Sequence, residues 1–235
     1  MTDGTIWQQI RSALRADIDQ GRYKPGEKLP TEAALAKRFG VNRHTIRRAL
    51  SELHAQGLTR SQRGSGVFVT ARPMTYPLGP RVRFHATLEA AGQVPTKEII
   101  RLETVAATAR EAQMLDLAPG DPVHVWEGIA QADDVPVAFF HSWFPAARLP
   151  GLKEGLAETR SVTAALAGEG VRDYTRRSTK LTAERALPLL ARHLRIAEGA
   201  PVIFALSVNV DGQGRPIEFG QTWFVGDRVR MTLDQ

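Results

Sequence analysis

The chain has no cysteine among its 235 residues, and this absence excludes two kinds of structural support. Disulfide bonds cannot form, and a thiolate zinc finger has no ligands. No apolar run near the N-terminus is long enough to act as a signal peptide or to span a bilayer. We therefore expect a cytoplasmic protein that does not enter a membrane.

The constellations of residues that perform catalysis are missing as well. The sequence contains no glycine-rich phosphate loop and no recognisable pair of nucleophile and base. His85, His124 and His193 lack the close spacing that places two histidines and an acid around one metal ion. We expect no catalytic residues, no metal and no cofactor, and hence a protein that is not an enzyme.

Negative charge is scarce in the first third of the chain. Residues 1–78 contain 13 Lys and Arg against 6 Asp and Glu, whereas residues 79–235 contain 18 against 19. The net charges of these two parts are therefore +7 and −1. Such an asymmetry is typical of a nucleic-acid-binding module joined to a second domain. A merely soluble basic surface is the alternative, and the local pattern below argues against it.

The N-terminal segment has the punctuation of short helices. Apolar residues recur every four positions from Ile6 to Ile18, which predicts an amphipathic helix that ends at Gly21. Thr31 is placed to cap a second, short helix that Gly40 terminates.

Asn42 is placed to cap a third helix, which begins two residues after Gly40. Its apolar face consists of Ile46, Ala49, Leu50 and Leu53. Two helices joined by a tight turn of this kind predict a helix-turn-helix, whose second helix enters the major groove of DNA.

A hairpin is predicted after the third helix. Leu58–Arg60 and Gly66–Val69 have the pattern of two short strands on either side of the polar loop Ser61–Ser65. Arg63 lies at the tip of this loop, where it is placed to reach a phosphate or a minor groove.

The stretch LPTEAALAKRFGVNRHTIRRALSELHAQGLTRSQRGSGVFV resembles the winged helix-turn-helix of the GntR family of bacterial transcription regulators. Thr31 and Asn42 stand where that family usually has serine, and both keep the ability to cap a helix. The resemblance and the helical wheel together imply contacts with DNA for Thr31, Arg38, Asn42, Arg43, His44, Thr45, Arg47, Arg48, Arg63, Gly64, Ser65 and Gly66.

The rest of the chain predicts an α+β domain with a mainly antiparallel sheet. Residues 72–80 contain three prolines and a glycine and are interpreted as a linker between domains at 1–71 and 81–235. The predicted strands are Ile99–Val105, Val123–Ala132, Val137–Trp143, Val202–Val210 and Ile217–Val225. The predicted helices are Phe84–Ala91, Ala109–Leu117, Ser161–Gly168 and Ala183–Leu194.

The motifs GDPVHVWEGIAQADDVPVAFFHSWFP, SVTAALAGEGV and DGQGRPIEFGQTWFVGDRV follow in an order that resembles the UTRA effector-binding domain of the HutC branch of GntR regulators. The resemblance implies a chorismate-lyase-like fold. FHSWFPAARLPG and YTRRST are similar to PhnF-type regulators of phosphonate metabolism. By the same resemblance, an effector pocket is expected to use Phe84, Ser161, Thr163 and Glu218.

Ser161 has two compatible interpretations, as the N-cap of a helix and as an effector contact. The sugar-phosphate-binding relatives carry arginines in an L-R-x-A-D-G stretch, which this chain replaces by Glu127–Gln131. The cation for an anionic effector must then come from elsewhere. The candidates are Arg83 and Arg176, with Arg81 and Arg177 as further possibilities, and a guanidinium suits phosphate or phosphonate. His141 is either an effector contact or a histidine satisfied within the core.

These observations predict a transcription regulator, expected to be a repressor, that binds a palindromic operator as a homodimer. Its partners are double-stranded DNA and a small anionic effector, namely a phosphonate, phosphate or phosphorylated metabolite. A sugar phosphate or a urocanate-like carboxylate is the alternative effector. A lyase-like enzyme with a DNA-binding head is the alternative from another class, since fold alone does not establish function.

Overall fold

The computed structural model describes residues 5–62, 65–70, 73–81, 84–90 and 93–233. The chain divides into two compact units, Met1–Arg72 and Pro73–Gln235. Each unit buries a hydrophobic core of its own residues. Helices and a large antiparallel sheet are both present, so the expected α+β class is confirmed. Within the described ranges, no helix is long and apolar enough to cross a bilayer.

The first unit is three helices followed by a hairpin. These elements are α1 (Ile6–Asp19), α2 (Glu32–Phe39), α3 (Arg43–Ala55), β1 (Thr59–Gln62) and β2 (Gly66–Val69). Thr31 Oγ1 accepts a hydrogen bond from the backbone N–H of Ala34 at 3.2 Å, and Asn42 Oδ1 accepts one from that of Thr45 at 2.9 Å. Both side chains therefore cap their helices, as their positions predict.

The three helices bury one shared apolar core. Leu14, Leu35, Ile46 and Leu53 have no exposed surface. Asp17 is the charged residue of this core, and its carboxylate lies 2.9 Å from an Arg22 nitrogen and 2.7 Å from Arg38 Nη2. A buried carboxylate requires such partners, because without them the loss of hydration is uncompensated. This ion pair ties α1 to α2.

The second unit is a six-stranded sheet with helices on both faces. Its elements are β3 (Met74–Pro77), α4 (Phe84–Ala90), β4 (Pro95–Ala106), α5 (Ala109–Leu115), β5 (Pro122–Ala132), β6 (Val135–Pro145), α6 (Leu152–Thr159), α7 (Val162–Gly168), β7 (Tyr174–Arg185), α8 (Pro188–Leu194), β8 (Pro201–Asp211), β9 (Pro216–Val225) and β10 (Val229–Thr232). The strand order is β4-β5-β6-β9-β8-β7, and every neighbouring pair is antiparallel.

The two faces of this sheet have different coverings. The inner face, which carries Trp126, Phe140 and Phe224, forms one core with residues of α6, α7 and the small parallel pair β3 and β10. The outer face packs against α5 in one cluster and against α8 in another. Since side chains alternate along a strand, each strand divides its residues between these two environments.

Four segments differ from their sequence-based assignments. Residues 74–77, assigned to the linker, form β3 of the second unit, and Met74 and Tyr76 are buried there. Residues 183–185, assigned to a helix, are the end of β7, and the helix starts only at Pro188. Neither β7 as a whole nor α6 is predicted. Strand β7 is an edge strand with an exposed and charged sequence, so it lacks the apolar pattern of the central strands.

Candidate functional sites

Helix α3 presents a basic surface opposite its buried side. Arg43, His44, Arg47 and Arg48 are exposed, whereas Ile46, Ala49, Leu50 and Leu53 are buried. Asn42 fixes the first turn, because its side chain accepts hydrogen bonds from both the backbone N–H and the hydroxyl of Thr45. The predicted recognition residues thus lie together on one solvent-facing side of one helix.

Arg47 is held in place by an acid of the preceding helix. Its Nε and Nη2 donate to the two carboxylate oxygens of Glu32 at 3.1 Å and 2.8 Å. The Arg47 guanidinium lowers the pKa of Glu32, and Glu32 raises the pKa of Arg47. Bidentate contact restricts the orientation of the guanidinium. Arg47 therefore stands on the surface of α3 with a preferred direction.

Two other predicted arginines have partners within the unit. Arg48 lies over the ring of Trp7, with its Cζ 4.6 Å from the ring centroid. Arg38 is bound to the buried Asp17 and also donates to the Tyr23 hydroxyl at 3.1 Å. Arg38 stays a predicted DNA contact, and its guanidinium also joins α1 to α2.

The hairpin forms where the wing is predicted. Strands β1 and β2 pair in antiparallel register from Thr59 opposite Val69 to Gln62 opposite Gly66. Gly66 has φ +115°, and a Cβ built there would lie 2.8 Å from Lys28 Cε. The exposed Lys28 thus lies beside the wing, although it is not among the DNA contacts predicted from the sequence. Ser65 is partly buried, and Arg63 and Gly64 lie outside the described residues.

A cavity of about 110 Å³ lies over the inner face of the sheet in the second unit. Its wall includes residues from β3 through β9 together with α4 and α7. The polar and charged residues that line it are Tyr76, Lys97, Ser142, Ser161, Thr163, Tyr174, Arg176, Ser207, Asn209, Glu218 and Thr222. A concave space with convergent polar groups is the usual form of a ligand site.

A chain of hydrogen bonds crosses the floor of this cavity. Ser142 Oγ donates to Glu218 Oε1 at 2.8 Å, and Asn209 Nδ2 donates to Glu218 Oε2 at 2.6 Å. Asn209 Oδ1 in turn accepts from Arg176 Nε at 3.0 Å. Tyr76 lies at the end of this row of hydrogen bonds and is buried. Burial raises the pKa of Tyr76, whereas the charge of Arg176 and its hydrogen bond to Tyr76 lower it. The network therefore fixes the positions of one carboxylate and one guanidinium.

Lys97 brings a second cation to the cavity. Its Nζ lies 4.4 Å from the ring centroid of Trp126, 5.1 Å from that of Phe140 and 5.6 Å from that of Phe84. Burial lowers the pKa of Lys97 to about 8, and the negative charge of Glu218 opposes this shift. Cation–π contacts of this kind stabilise an ammonium group that has lost its hydration.

The start of α7 contributes hydroxyl groups to the same wall. Ser161 Oγ accepts from the backbone N–H of Ala164 at 3.3 Å, so its capping role is present. The hydroxyls of Thr163 and Tyr174 are 3.0 Å apart. Both interpretations of Ser161 remain compatible, since it caps the helix and also lines the cavity.

The structure brings five of the seven predicted effector residues together. Phe84, Ser161, Thr163, Arg176 and Glu218 all line the cavity. Arg83 lies outside the described residues. Arg81 and Arg177 lie elsewhere, in ion pairs with Asp173 and Asp116 respectively.

The prediction that His141 contacts the effector is wrong, because His141 does not line the cavity. It lies on the outer face, where its Nε2 is 2.7 Å from Glu127 Oε2 and its ring contacts Phe139, Trp143 and Trp223. Burial lowers its pKa, against the effect of Glu127. Strand β6 is buried on both faces, so an apolar run does not indicate which face a given residue occupies. The cavity-facing neighbour is Ser142.

Sequence reasoning missed the residues that complete the cavity. Tyr76 lies in the segment interpreted as a linker, and Lys97 lies just before the predicted strand Ile99–Val105. Ser207 and Asn209 interrupt an otherwise apolar strand. A polar residue within a buried strand is a usable signal, because it needs a partner inside the protein. In the described part of the chain, no group of three or more potential ligands is arranged to hold a metal ion.

Known proteins match both units. The family model for the UTRA domain matches residues 90–230, and that for bacterial regulatory proteins of the gntR family matches residues 6–69. An uncharacterized HTH-type transcriptional regulator of Rhizobium meliloti (strain 1021) is 35% identical over 230 residues, 97% of this chain and 94% of that protein. The probable transcriptional regulator PhnF of Escherichia coli (strain K12) is 29% identical over 232 residues, 98% of this chain and 95% of that protein. The crystal structure of PhnF from Mycobacterium smegmatis has a TM-score of 0.68 at 26% identity, covering 96% of this chain and 98% of that one.

Proposed function

The chain belongs to the GntR family of bacterial regulatory proteins and carries a UTRA domain, and we propose that it is a DNA-binding transcriptional repressor. A small anionic effector either releases this repressor from DNA or promotes its binding to DNA. In this proposal the repressor binds a palindromic operator as a homodimer, with one α3 helix in each of two major grooves. The effector is a phosphonate or phosphate. Relatives named as repressors support repression rather than activation of transcription.

The exposed side of α3 supports the DNA-binding part of the proposal. Arg43, His44 and Arg47 offer donors for base edges and phosphates, and the wing residues Ser65 and Gly66 lie on a hairpin after the helix. Thr31 and Asn42 act in this proposal through the helices that they cap, and Thr45 acts from the first turn of α3. Arg38, Arg48, Arg63 and Gly64 complete the proposed contact set.

The charge of the cavity is the observation that carries the effector class. Arg176 and Lys97 bring two cations to a lining whose acid is Glu218, among the residues that the structure describes. A partly open cavity with this balance favours an anion over a neutral ligand, since the excess positive charge of the protein is otherwise uncompensated. The similarity to proteins named PhnF supports a phosphonate or phosphate.

Three alternatives are distinguished by experiment. A sugar phosphate needs room for a ring beside the anion, and a urocanate-like carboxylate carries a single negative charge. A lyase-like enzyme with a DNA-binding head would convert its ligand. Product analysis after prolonged incubation with each bound compound separates the enzyme from the regulator.

Thermal unfolding of the full chain with a ligand panel tests the effector class. The panel contains inorganic phosphate, methylphosphonate, 2-aminoethylphosphonate, glucosamine 6-phosphate and urocanate. A ligand at 100 times its dissociation constant adds about 2.7 kcal/mol to the stability of the protein that it binds. We expect stabilisation by the phosphonates or phosphate, whereas stabilisation by the sugar phosphate or urocanate alone would replace the proposed effector.

A matched pair of arginine variants locates the anion. Arg176→Ala removes the guanidinium that lines the cavity, and Arg177→Ala removes its neighbour, which pairs with Asp116 away from the cavity. We expect only Arg176→Ala to reduce the effector response, with DNA affinity unchanged. An equal response in the two variants would assign the anion to another residue.

DNA binding is tested with duplexes selected by the full chain from a random library. We expect the selected sequences to contain inverted half-sites spaced by about one helical turn. Affinity for them should fall steeply with salt, because phosphate contacts release counterions. Selected sites without inverted symmetry, together with a monomer by sedimentation, would exclude the homodimer.

A further inference from the structure

Lys97 is the charged group of the cavity that the hydrogen-bond network does not reach. Glu218, Asn209 and Arg176 bind one another directly. Lys97 Nζ instead faces the rings of Trp126 and Phe140, and it has no hydrogen-bond acceptor among the residues that the structure describes. An ammonium group has three donors, all of which are satisfied when it is hydrated.

Packing alone does not account for a lysine at this position. A methionine has a similar length and fills gaps between aromatic rings without any charge. Lys97 is half-buried, and the lowered pKa of Lys97 reflects the hydration that its ammonium group loses beside the aromatic rings. The cost of this loss is offset when a ligand supplies the missing acceptors.

The neighbouring strand makes room for the lysine. Lys97 lies opposite Ala130 in the register of β4 and β5, and Ala130 also lines the cavity. Two residues earlier, a Cβ built on Gly128 would lie 2.2 Å from the Glu98 carbonyl oxygen and 2.9 Å from the Phe140 ring. No larger side chain fits at position 128 without displacing backbone. The small residues of β5 thus leave the space that the Lys97 side chain and the Phe140 ring share.

We propose that Lys97 binds the oxyanion of the effector directly and is a specificity-determining residue for phosphate-like or phosphonate-like groups. The inference rests on the proposed function, because it concerns the same cavity. Lys97 comes from β4 and Arg176 from β7, which are the two edge strands of the sheet. The cavity therefore receives a cation from each edge, with Glu218 of β9 between these strands in the sheet order.

This contact makes anion binding depend on a proton. The titratable groups that line the cavity with Lys97 are Glu218, Tyr76 and Tyr174, while Arg176 stays charged. The pKa of Lys97 is about 8 in the empty cavity, and a bound anion raises it because the charged form gains a partner. Above about pH 8 the free lysine is increasingly neutral, so binding must take up a proton and the affinity must fall.

Calorimetric titration of the full chain with methylphosphonate and with inorganic phosphate tests the proposal. Lys97→Met removes the charge and keeps the length, and Lys180→Met is the matched control, because Lys180 is exposed on β7 and does not line the cavity. We expect Lys97→Met to weaken binding at about pH 7.5 by roughly tenfold to a hundredfold, the usual range for a hydrogen bond to a charged group. Lys180→Met should bind as the unchanged protein does.

A second variant separates charge from folding. Lys97→Arg keeps a cation that does not titrate below about pH 12. The unchanged protein should lose affinity between about pH 8 and pH 9.5 and take up a proton, measured in buffers of different ionisation enthalpy. Lys97→Arg should bind with little change over this range. If Lys97→Met does not fold, this pH comparison decides the question.

The outcomes distinguish this inference from the proposed function. Wild-type binding that Lys97→Met retains in full overturns the role of Lys97 and leaves the anionic effector standing. The same holds if Lys97→Arg loses affinity with pH as the unchanged protein does. Failure of the unchanged protein to bind phosphate or any phosphonate overturns both, whereas DNA binding has its own separate test.

Discussion

The two units place their candidate functional residues in opposite ways. In the first, Arg43, His44 and Arg47 are close in sequence, lie on one helix and face solvent. In the second, Lys97, Arg176 and Glu218 come from three strands and meet over the inner face of a sheet. A surface that must meet a large polyanion is built from local sequence, whereas an enclosed ligand site needs residues that only the fold brings together.

Matched core cavities provide the largest test of this comparison. Leu53→Ala in the first unit and Leu152→Ala in the second each remove a side chain with no exposed surface. Each should lower stability by about 2–5 kcal/mol, because the transfer energy is lost and a cavity remains. We expect Leu53→Ala to impair DNA binding and spare phosphate binding, and Leu152→Ala to do the reverse.

Both binding activities of each variant are measured at a temperature where the unchanged protein is fully folded, beside a thermal unfolding curve. Loss of both activities in either variant would mean that the two units do not fold separately. The comparison between them would then concern one cooperative structure.

Removal of Arg47 is expected to have the next largest effect. The contact with Glu32 holds its guanidinium in a fixed direction on the exposed side of α3. If Arg47 reads a base, Arg47→Ala should weaken binding to a selected operator roughly tenfold to a hundredfold. The control is Arg15→Ala, an exposed arginine of α1 whose partner is Asp19. Equal affinities of the two variants in an anisotropy titration would remove Arg47 from the contact set.

Local rules predict the first unit well. Thr31, Asn42 and Gly40 mark helix boundaries through their own backbone or side-chain chemistry, so no distant residue is needed to place α2 and α3. Arg38 is the exception, since its partner Asp17 lies in another helix. A sequence does not reveal which of several exposed-looking arginines pairs with a buried acid.

The second unit was predictable as a set of strands and only partly as a site. Apolar β-branched and aromatic runs identify the central strands β5, β6, β8 and β9, but they do not fix which face each residue occupies. His141 is assigned to the wrong face for this reason. Lys97 is missed because its environment consists of Phe84, Trp126 and Phe140, which belong to three other elements.

The helix caps allow a smaller test at equivalent positions in the two units. Asn42 and Ser161 each accept a hydrogen bond from the backbone N–H three residues later, at 2.9 Å and 3.3 Å. Asn42→Ala and Ser161→Ala should each cost about 0.5–2 kcal/mol of stability, measured by chemical denaturation. Asn42→Ser and Ser161→Asn retain a capping oxygen and should recover most of the loss. If Ser161→Asn restores stability and phosphate affinity stays low, Ser161 contacts the effector as well as the helix.

The smallest expected effect is a dependence of stability on pH that arises in the second unit. The ring of His124 is buried, its Nδ1 lies 2.8 Å from the Thr104 hydroxyl, and its Nε2 lies 3.1 Å from the Leu149 carbonyl oxygen. Burial lowers the pKa of His124, so the unfolded chain binds a proton at a higher pH than the folded one. The stability that the neutral His124 ring gives to the folded protein is therefore fully present above its unfolded pKa of about 6.5. This stability is lost as the pH falls through the lower pKa of His124 in the folded protein.

We expect His124→Gln to reduce the slope of stability against pH between about pH 7 and pH 5, because glutamine can accept from Thr104 and donate to Leu149 without titrating. His44→Gln, at an exposed position of α3, is the control for the substitution itself. His141 acts in the same direction as His124, since burial also lowers its pKa, so part of the slope should persist in His124→Gln. If the slope disappears fully in His124→Gln, burial does not lower the pKa of His141 as expected. If His44→Gln reduces the slope as much as His124→Gln does, the slope does not arise from the buried His124, and the prediction is wrong.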